Sequence, residues 1–410
     1  MSNPGRPGRS GYALDAVNFF LADVHGGLGP YLAIYLLTVR QWNEEQIGVV
    51  MSIAGIAGVV AQTPAGAVID ATRAKRALIV IAASITALAS IALLYSEKFV
   101  AVAGSQAIVG AAGAVFGPAV AAISLGIVGA AKLAQRVGRN EAFNHAGNAA
   151  TAGVAGVAAY FWGPVVVFVL LAATAMASVV SILCMPPDAI DHEAARGLTD
   201  GDKHDGEAPS GFQALLSCRP LLIFAACVVL FHLANAAMLP LVGQKLALAN
   251  RNQGTALISG CIVAAQLVMV PMAILVGRKA DTWGRKGLFV AGFVVLTIRG
   301  VSYTLWDNPF WLLGVQALDG VGAGLYGALF PLIVADLTRG TGRFNVSQGA
   351  IATMQGIGAS LSTAIAGIII AAAGYSAAFL SLAAIAGCGL ALFWFAMPET
   401  RPPAPIGGGG

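Results

Sequence analysis

The sequence predicts an all-α membrane protein in which twelve transmembrane helices form two pseudo-symmetric six-helix bundles. Three observations carry that prediction. Of 410 residues, 58% are hydrophobic and only 10% are charged, a balance outside the range of soluble globular domains. Apolar runs long enough to cross a hydrocarbon core of about 30 Å, at about 1.5 Å per residue, recur along the whole chain. The first half of the sequence also echoes in the second.

Reading the chain with that ruler gives spans at Ala13–Leu37, Gln46–Ile69, Ala77–Tyr95, Val100–Leu125, Phe143–Trp162 and Pro164–Met185. A second set follows at Pro220–Val242, Thr255–Val276, Gly287–Trp306, Pro309–Val334, Val346–Ala373 and Ala377–Ala396. The runs lack the alternation of barrel strands, and helices satisfy their own backbone groups in lipid. The start, MSNPGRPGRSGY, is not followed by a short apolar core and a small-residue cleavage site, so it reads as a retained tail.

Placing the N-terminus inside puts 18 of the 23 Lys and Arg residues in cytoplasmic segments and four in outer loops, with Arg299 left inside a span. That asymmetry predicts both termini in the cytoplasm. The polar stretch Pro186–Gly211 separates six spans from six and reads as a solvated linker. The expected organisation is a bundle at 1–185, a cytoplasmic linker at 186–219, a second bundle at 220–397 and a tail at 398–410.

The internal echo is specific. GAVIDATRAKR (66–76) after the second span matches GRKADTWGRKG (277–287) after the eighth. QAIVG (106–110) matches QALDG (316–320), and Phe143-Asn144 opens the fifth span as Phe344-Asn345 opens the eleventh. The offsets are 211, 210 and 201 residues, each close to half the chain.

With these motifs the chain resembles the major facilitator superfamily over essentially its whole length. The loop after the second span in that family reads roughly GxxxDRxGRR. Here the second copy keeps Gly277, Asp281, Gly284, Arg285 and Lys286, while the first keeps Gly66, Asp70, Lys75 and Arg76 but has Ala71 and Arg73 at two family positions. The resemblance implies a cytoplasmic latch made by Gly66, Asp70, Lys75, Arg76, Gly277, Asp281, Arg285 and Lys286. It also implies that the first, fourth, seventh and tenth spans line a central cavity. Proton-coupled drug exporters of the superfamily often carry arginine where Gln106 stands and a proline-bearing run in the fifth span, which Ala149–Phe161 lacks. Compact loops suggest a bacterial inner membrane, and transporters of this architecture usually work as single chains.

The polar residues inside spans are the candidate site. Asp23 and Asp319 each fall about 15 Å from a surface, near the midplane. A charge there costs on the order of 3 kcal/mol unless paired, hydrated or neutralised, which a proton-exchanging carboxylate in a wet cavity achieves. These two are the expected proton-coupling groups. Arg299 is placed to reach Asp319 and form a buried pair. His25, Gln106, His232, Asn235, Gln316 and Arg299 are the expected substrate contacts. His25 lies two residues from Asp23, about 200° round a helix, so the two cannot share a face. His232 and Asn235, spaced i, i+3, can act on one face. Asp15 reads as an interfacial or cap residue, and His145, Asn144, Asn148, Gln348 and Gln355 as helix-to-helix hydrogen-bonding groups.

The expected function is proton-coupled secondary transport by alternating access, with export of an amphipathic or cationic solute ahead of uptake of an organic anion or metal chelate. A membrane sensor or lipid-handling protein that keeps the fold is the alternative from another class. Partners are the small solute, protons and the bilayer, with no nucleic acid. Nothing predicts an enzyme, a cofactor or a metal site. The phosphate-gripping GxxxxGK[ST] loop is absent, because none of the seven lysines precedes Ser or Thr. The five cysteines have no metal-type spacing and read as reduced packing residues.

Overall fold

The structure is a computed structural model that describes residues 8–26, 28, 32, 35–36, 39–42, 44–163, 165–198, 218–249 and 254–401. Among the described residues all regular structure is helical. The first helices are α1 (Arg9–Gly26), α2 (Glu44–Ala71) and α3 (Lys75–Ala92). The stretch Phe99–Trp162 is broken at Gly129 (φ 68°, ψ 173°) into α4 (99–128) and α5 (130–162). Then come α6 (Val166–Leu183), α7 (Arg219–Asn235), α8 (Met238–Ala249), α9 (Gly254–Trp283), α10 (Arg285–Ser302) and α11 (Pro309–Leu337). The last stretch, Phe344–Ala396, breaks at Gly374 (φ 81°, ψ 177°) into α12 (344–373) and α13 (375–396). Both breaks need a backbone conformation that costs an L-residue about 1–2 kcal/mol and glycine almost nothing, so glycine lets two spans follow with no loop. At the start of α11, the Asn308 side chain accepts from Phe310 N and Trp311 N ahead of Pro309.

These helices follow the expected spans in order, with α7 and α8 sharing the seventh; α1 covers the first span as far as Gly26, and much of its remainder to Leu37 lies outside the described residues. Eight helical stretches among the described residues are long and apolar enough to cross a membrane, and two of them are the glycine-broken pairs. The fifth span differs from expectation. α5 begins at residue 130, so Phe143-Asn144 lies well inside it, whereas Phe344-Asn345 does open α12. Lys132, Arg136, Arg139 and Asn140, read as loop residues, are polar positions on a helix. The linker also differs at its start. Residues 187–189 and 194–196 form two short 3-10 turns, and Ile190 and Ala195 are buried while Pro187, Asp188, Asp191 and Glu193 stay exposed, so this solvated part is anchored at two apolar positions.

The chain divides into two compact units. Unit 1 comprises residues 1–129, 139–214 and 341–357, and unit 2 comprises 130–138, 215–340 and 358–410. Among the described residues, two apolar clusters lie in unit 1. Leu14, Val17, Ile79, Phe116, Ile123 and Ile182 belong to one, and Tyr35, Val50, Val102, Phe168 and Leu171 to the other. Unit 2 is organised around aromatic rings. Phe231 stacks on Tyr326 with centroids 5.0 Å apart, and Phe289 stacks on Phe393 at 4.6 Å. Many large apolar side chains, such as Val60, Leu88, Phe161 and Phe395, face outward, as a lipid-facing surface requires.

Small residues bring the helices close, as packing in lipid favours. A Cβ on Gly110 would overlap the Ala54 backbone, and one on Gly320 would overlap Ala265 O. Gly147 of α5 lies against the Phe19 backbone of α1 in the same way.

Candidate transport site

In unit 2 the polar residues of α7, α10 and α11 form one buried network. Arg299 is 2% exposed and its guanidinium donates in three directions. Nη1 pairs with Asp319, Nη2 donates to Asn235 Oδ1 at 2.7 Å, and Nε meets Met238 Sδ at 3.3 Å. Gln316, fully buried, donates from Nε2 to Asp319 Oδ2 at 2.9 Å and accepts from the Tyr303 hydroxyl. Tyr303 also lies near the guanidinium, 5.9 Å from ring centroid to Cζ. Thus both carboxylate oxygens of Asp319 are held, yet its side chain keeps 14% exposure. His232 takes no part in these hydrogen bonds: it packs edge-on to Tyr326 with centroids 4.7 Å apart, and among the described residues its Nε2 has no hydrogen-bond partner. The i, i+3 spacing of His232 and Asn235 therefore brings the two to different neighbours.

In unit 1 Asp23 has a different setting. It is half-buried on α1, and Asp23 Oδ2 accepts from Thr174 Oγ1 of α6 at 3.2 Å. Among the described residues no cation stands within ion-pair reach of it. Thr174 Oγ1 also lies 3.0 Å from Leu171 O. A hydroxyl has one hydrogen and two lone pairs. Thr174 can donate to an ionised Asp23, or turn its hydrogen to Leu171 O and accept from a protonated one, so the site accommodates both states. Gln106 of α4 is buried. The backbone of His25 lies in α1, but its side chain is outside the described residues.

Asp15 is more than a cap. Arg139 of α5 grips it with Nε and Nη2 at 2.6–2.9 Å. One turn on, Asn18 Nδ2 donates to Asn140 Oδ1 at 3.1 Å, and Asn140 Nδ2 donates to Ser124 Oγ at 2.7 Å.

The two echoed loops do different things. Asp70, at the end of α2, accepts from Asn345 Nδ2 at 2.7 Å, Val346 N at 2.8 Å and Asn345 N at 3.4 Å. It sits on the N-terminus of α12, where free N–H groups and the helix dipole favour an anion. Asn345 Nδ2 also donates to Ala195 O of the linker at 3.0 Å, so the carboxylate, the helix start and the linker meet at one side chain. Gly66 makes this possible, since a Cβ there would overlap the backbone of Asn345 and Val346. The neighbouring cations turn elsewhere. Lys75 Nζ donates to Thr72 O at 2.7 Å, and Arg76 donates to Ile182 O and Leu183 O at the end of α6. Burial lowers the pKa of His192, with Lys75 and Arg73 adding to the effect and Asp191 opposing it. Burial likewise lowers Arg343, against the pull of Asp70.

In the second copy Asp281 pairs with Arg285 at 2.7 Å, and Arg285 reaches Asp336 at 3.1 Å, all inside unit 2. Backbone N–H groups of Arg285 and Lys286 donate to Glu399 at 2.8 and 3.1 Å, capping α10. Lys286 Nζ lies over Trp394, 6.0 Å from its ring centroid. Burial pulls Glu399 up, but N–H donors from Arg401, Arg285, Lys286 and Thr400 together hold it below its ordinary value. Gly277 packs against Gly138 of α5. Among the described residues no three His, Cys, Asp or Glu side chains could hold a metal ion.

Residues 14–349 and 263–410 match the family model described as Major Facilitator Superfamily. The chain belongs to the major facilitator superfamily. Members of this superfamily are membrane transporters and not enzymes. A relative named as an uncharacterized MFS-type transporter, from two strains of Mycobacterium tuberculosis, is 57% identical over 394 residues, covering 96% of this chain and 94% of the relative. A crystal structure of the major facilitator superfamily transporter FucP in the outward conformation aligns with a TM-score of 0.68 at 15% identity, covering 94% of this chain and 98% of that one. That likeness speaks to the fold. This superfamily member is therefore a transporter of a small molecule across a membrane, built on the expected helical fold.

Several contributors carried no reading in the sequence. Tyr303, four residues after Arg299, and Met238, three after Asn235, had a usable helical spacing. Glu399 had one too: Met397-Pro398 echoes Met185-Pro186 at an offset of 212. Thr174 had none, because one threonine in an apolar helix looks like any other.

Proposed function

We propose that this transporter exports a small amphipathic or cationic solute in exchange for protons. The observation that carries the reading is the contrast between the two intramembrane carboxylates. Each must be neutralised to be tolerated in lipid. Asp319 is neutralised by Arg299, whereas Asp23 has one hydroxyl partner and no cation in reach among the described residues. A carboxylate in that state holds a proton or a cationic group of the solute, but not both. Mutual exclusion at one site is the physical basis of antiport. One proton crossing 100 mV contributes about 2.3 kcal/mol, enough to bias the cycle.

Asp319 serves as the second proton-coupling group: protonation would release Arg299 and repack α10 against α11. Uptake of an organic anion has less support, since the Arg299 guanidinium already donates to Asn235, Asp319 and Met238. The Asp70 contact with α12 serves as the cytoplasmic latch, with the linker as its third member through Ala195. On this reading the loop at 277–287 braces its own bundle. The chain works as a single copy in a bacterial plasma membrane with both termini in the cytoplasm.

The test is counterflow in proteoliposomes against a panel of organic cations and amphiphiles, recording lumenal pH. Proton movement opposite to the solute supports exchange. Movement in the same direction, or none, refutes it.

A further inference from the structure

Because α5 begins at residue 130, the run Arg139-Asn140-Glu141 lies on a helix, and its three side chains point about 100° apart. Two of them are engaged by other helices of unit 1: Arg139 grips Asp15, and Asn140 bonds Asn18 and Ser124. Glu141 is left with the next turn of its own helix. Its Oε2 stands 3.8 Å from His145 Nε2, with side-chain exposures of 27% and 12%. Among the described residues no other cation-capable group lies within ion-pair reach of that carboxylate. One turn further, Asn148 Nδ2 donates to Asn144 Oδ1 at 3.0 Å. Positions 141, 144, 145 and 148 make one polar stripe along α5.

The stripe leads somewhere. Asp15 meets Arg139, Asn18 meets Asn140, and Gly147 packs on Phe19, so α1 and α5 run in the same direction. In that register Asn148 reaches the level of Phe19, one helical turn, about 6 Å, short of Asp23. The stripe thus climbs from the end of α5 that bears Lys132 and Arg136 toward the level of Asp23.

We propose that Glu141 and His145 form a second titratable site in unit 1, one that takes protons from water and passes them toward Asp23. The proposal rests on the reading of Asp23 as the coupling carboxylate. The pair has two forms of zero net charge, carboxylate with imidazolium and carboxylic acid with imidazole, which differ by one proton moved between Nε2 and Oε2. A proton from hydronium enters at the Glu141 carboxylate, the more exposed of the two side chains, and is shared with His145 Nε2, which is itself buried. The proton then reaches the Asp23 carboxylate, about 16 Å further along the axis, by way of cavity water taken as the carrier, which leaves Glu141 ionised and ready for the next. Asp15 and Arg139, flanking on the α1 side, are locked in their own pair, and Tyr12 lies near Arg139.

The test is infrared spectroscopy of the purified full chain in lipid nanodiscs, following the protonated carboxyl stretch from pH 4 to pH 9 and after rapid pH jumps. E141Q should remove one titrating component and D23N a different one. H145Q should move the Glu141 midpoint by about half a pH unit or more. In E141Q the Asp23 band should rise at least tenfold more slowly after the jump with its midpoint unchanged, and E141D should restore the rate. A spectrum in which E141Q removes nothing, a Glu141 midpoint indifferent to H145Q, or an Asp23 band equally fast in E141Q overturns the proposal. If D23N alone removes no component, the assignment of Asp23 fails, while the Glu141 and H145Q arms still report on the pair.

Discussion

Removing Asp319 should harm the fold more than removing its partner Arg299. In D319A the guanidinium, 2% exposed in the parent, keeps Asn235 Oδ1, Met238 Sδ and the Tyr303 ring beside it but no anion. Leaving one member of a buried pair uncompensated costs about 3–5 kcal/mol. In R299M the carboxylate keeps the Gln316 donor and 14% exposure, and it can shed its charge by taking a proton. The cost there should be nearer that of a lost hydrogen bond to a charged group, about 1.5–3 kcal/mol. Replacing both, as R299M/D319A, removes the desolvation of both charges and should cost less than D319A alone. Equilibrium unfolding of the purified chain in mixed micelles, read as a double-mutant cycle, gives all three values. The reasoning fails if the two single costs simply add in the double variant, or if D319A is the mildest of the three.

Two further outcomes follow from the ends of the helices. G66L should drive α12 off the end of α2, because there is no room for a side chain against Asn345 and Val346. An S347C probe, fully buried in the parent, should then react with a membrane-impermeant maleimide about tenfold faster, with D70N giving a smaller increase, and an unchanged rate in G66L would remove the latch from the account. Glu399 supplies a pH dependence with a definite sign. Its folded value is held below the ordinary 4.5, so the stability it contributes is present above about pH 4.5 and is lost as pH falls through the folded value. Thermal unfolding between pH 3 and pH 6 should show a drop toward low pH that E399Q lacks, together with a loss of about 1 kcal/mol above that range from the missing cap. Parallel profiles for the two proteins would show that Glu399 is not linked to folding.

The fold was legible because its determinants are local and repeated. Length and hydropathy mark a span wherever lipid is the solvent, and the echo of 66–76 in 277–287 needs no coordinates. The start of α5 was not legible, because Lys132, Arg136 and Arg139 look like loop charges until Asp15 and the packing of Gly147 and Gly138 show the helix continuing. At the candidate site the pairing of Arg299 with Asp319 followed from two opposite charges in adjacent spans. The partition of labour between the two loops did not. Asp70 and Asp281 stand in the same motif, and only the third dimension gives one of them a helix start and the other an arginine one turn away. Ala74 stands at the motif position that Arg285 fills for Asp281, so Asp70 has no basic partner four residues along.

The central claim is that Asp23 carries the proton that drives exchange. It is tested most directly by comparing pH-gradient-driven accumulation with solute-for-solute counterflow in proteoliposomes bearing D23N. The account predicts that gradient-driven accumulation disappears, and that whatever counterflow remains is weaker for cationic solutes and no longer depends on pH. Accumulation by D23N at the parent rate would contradict it.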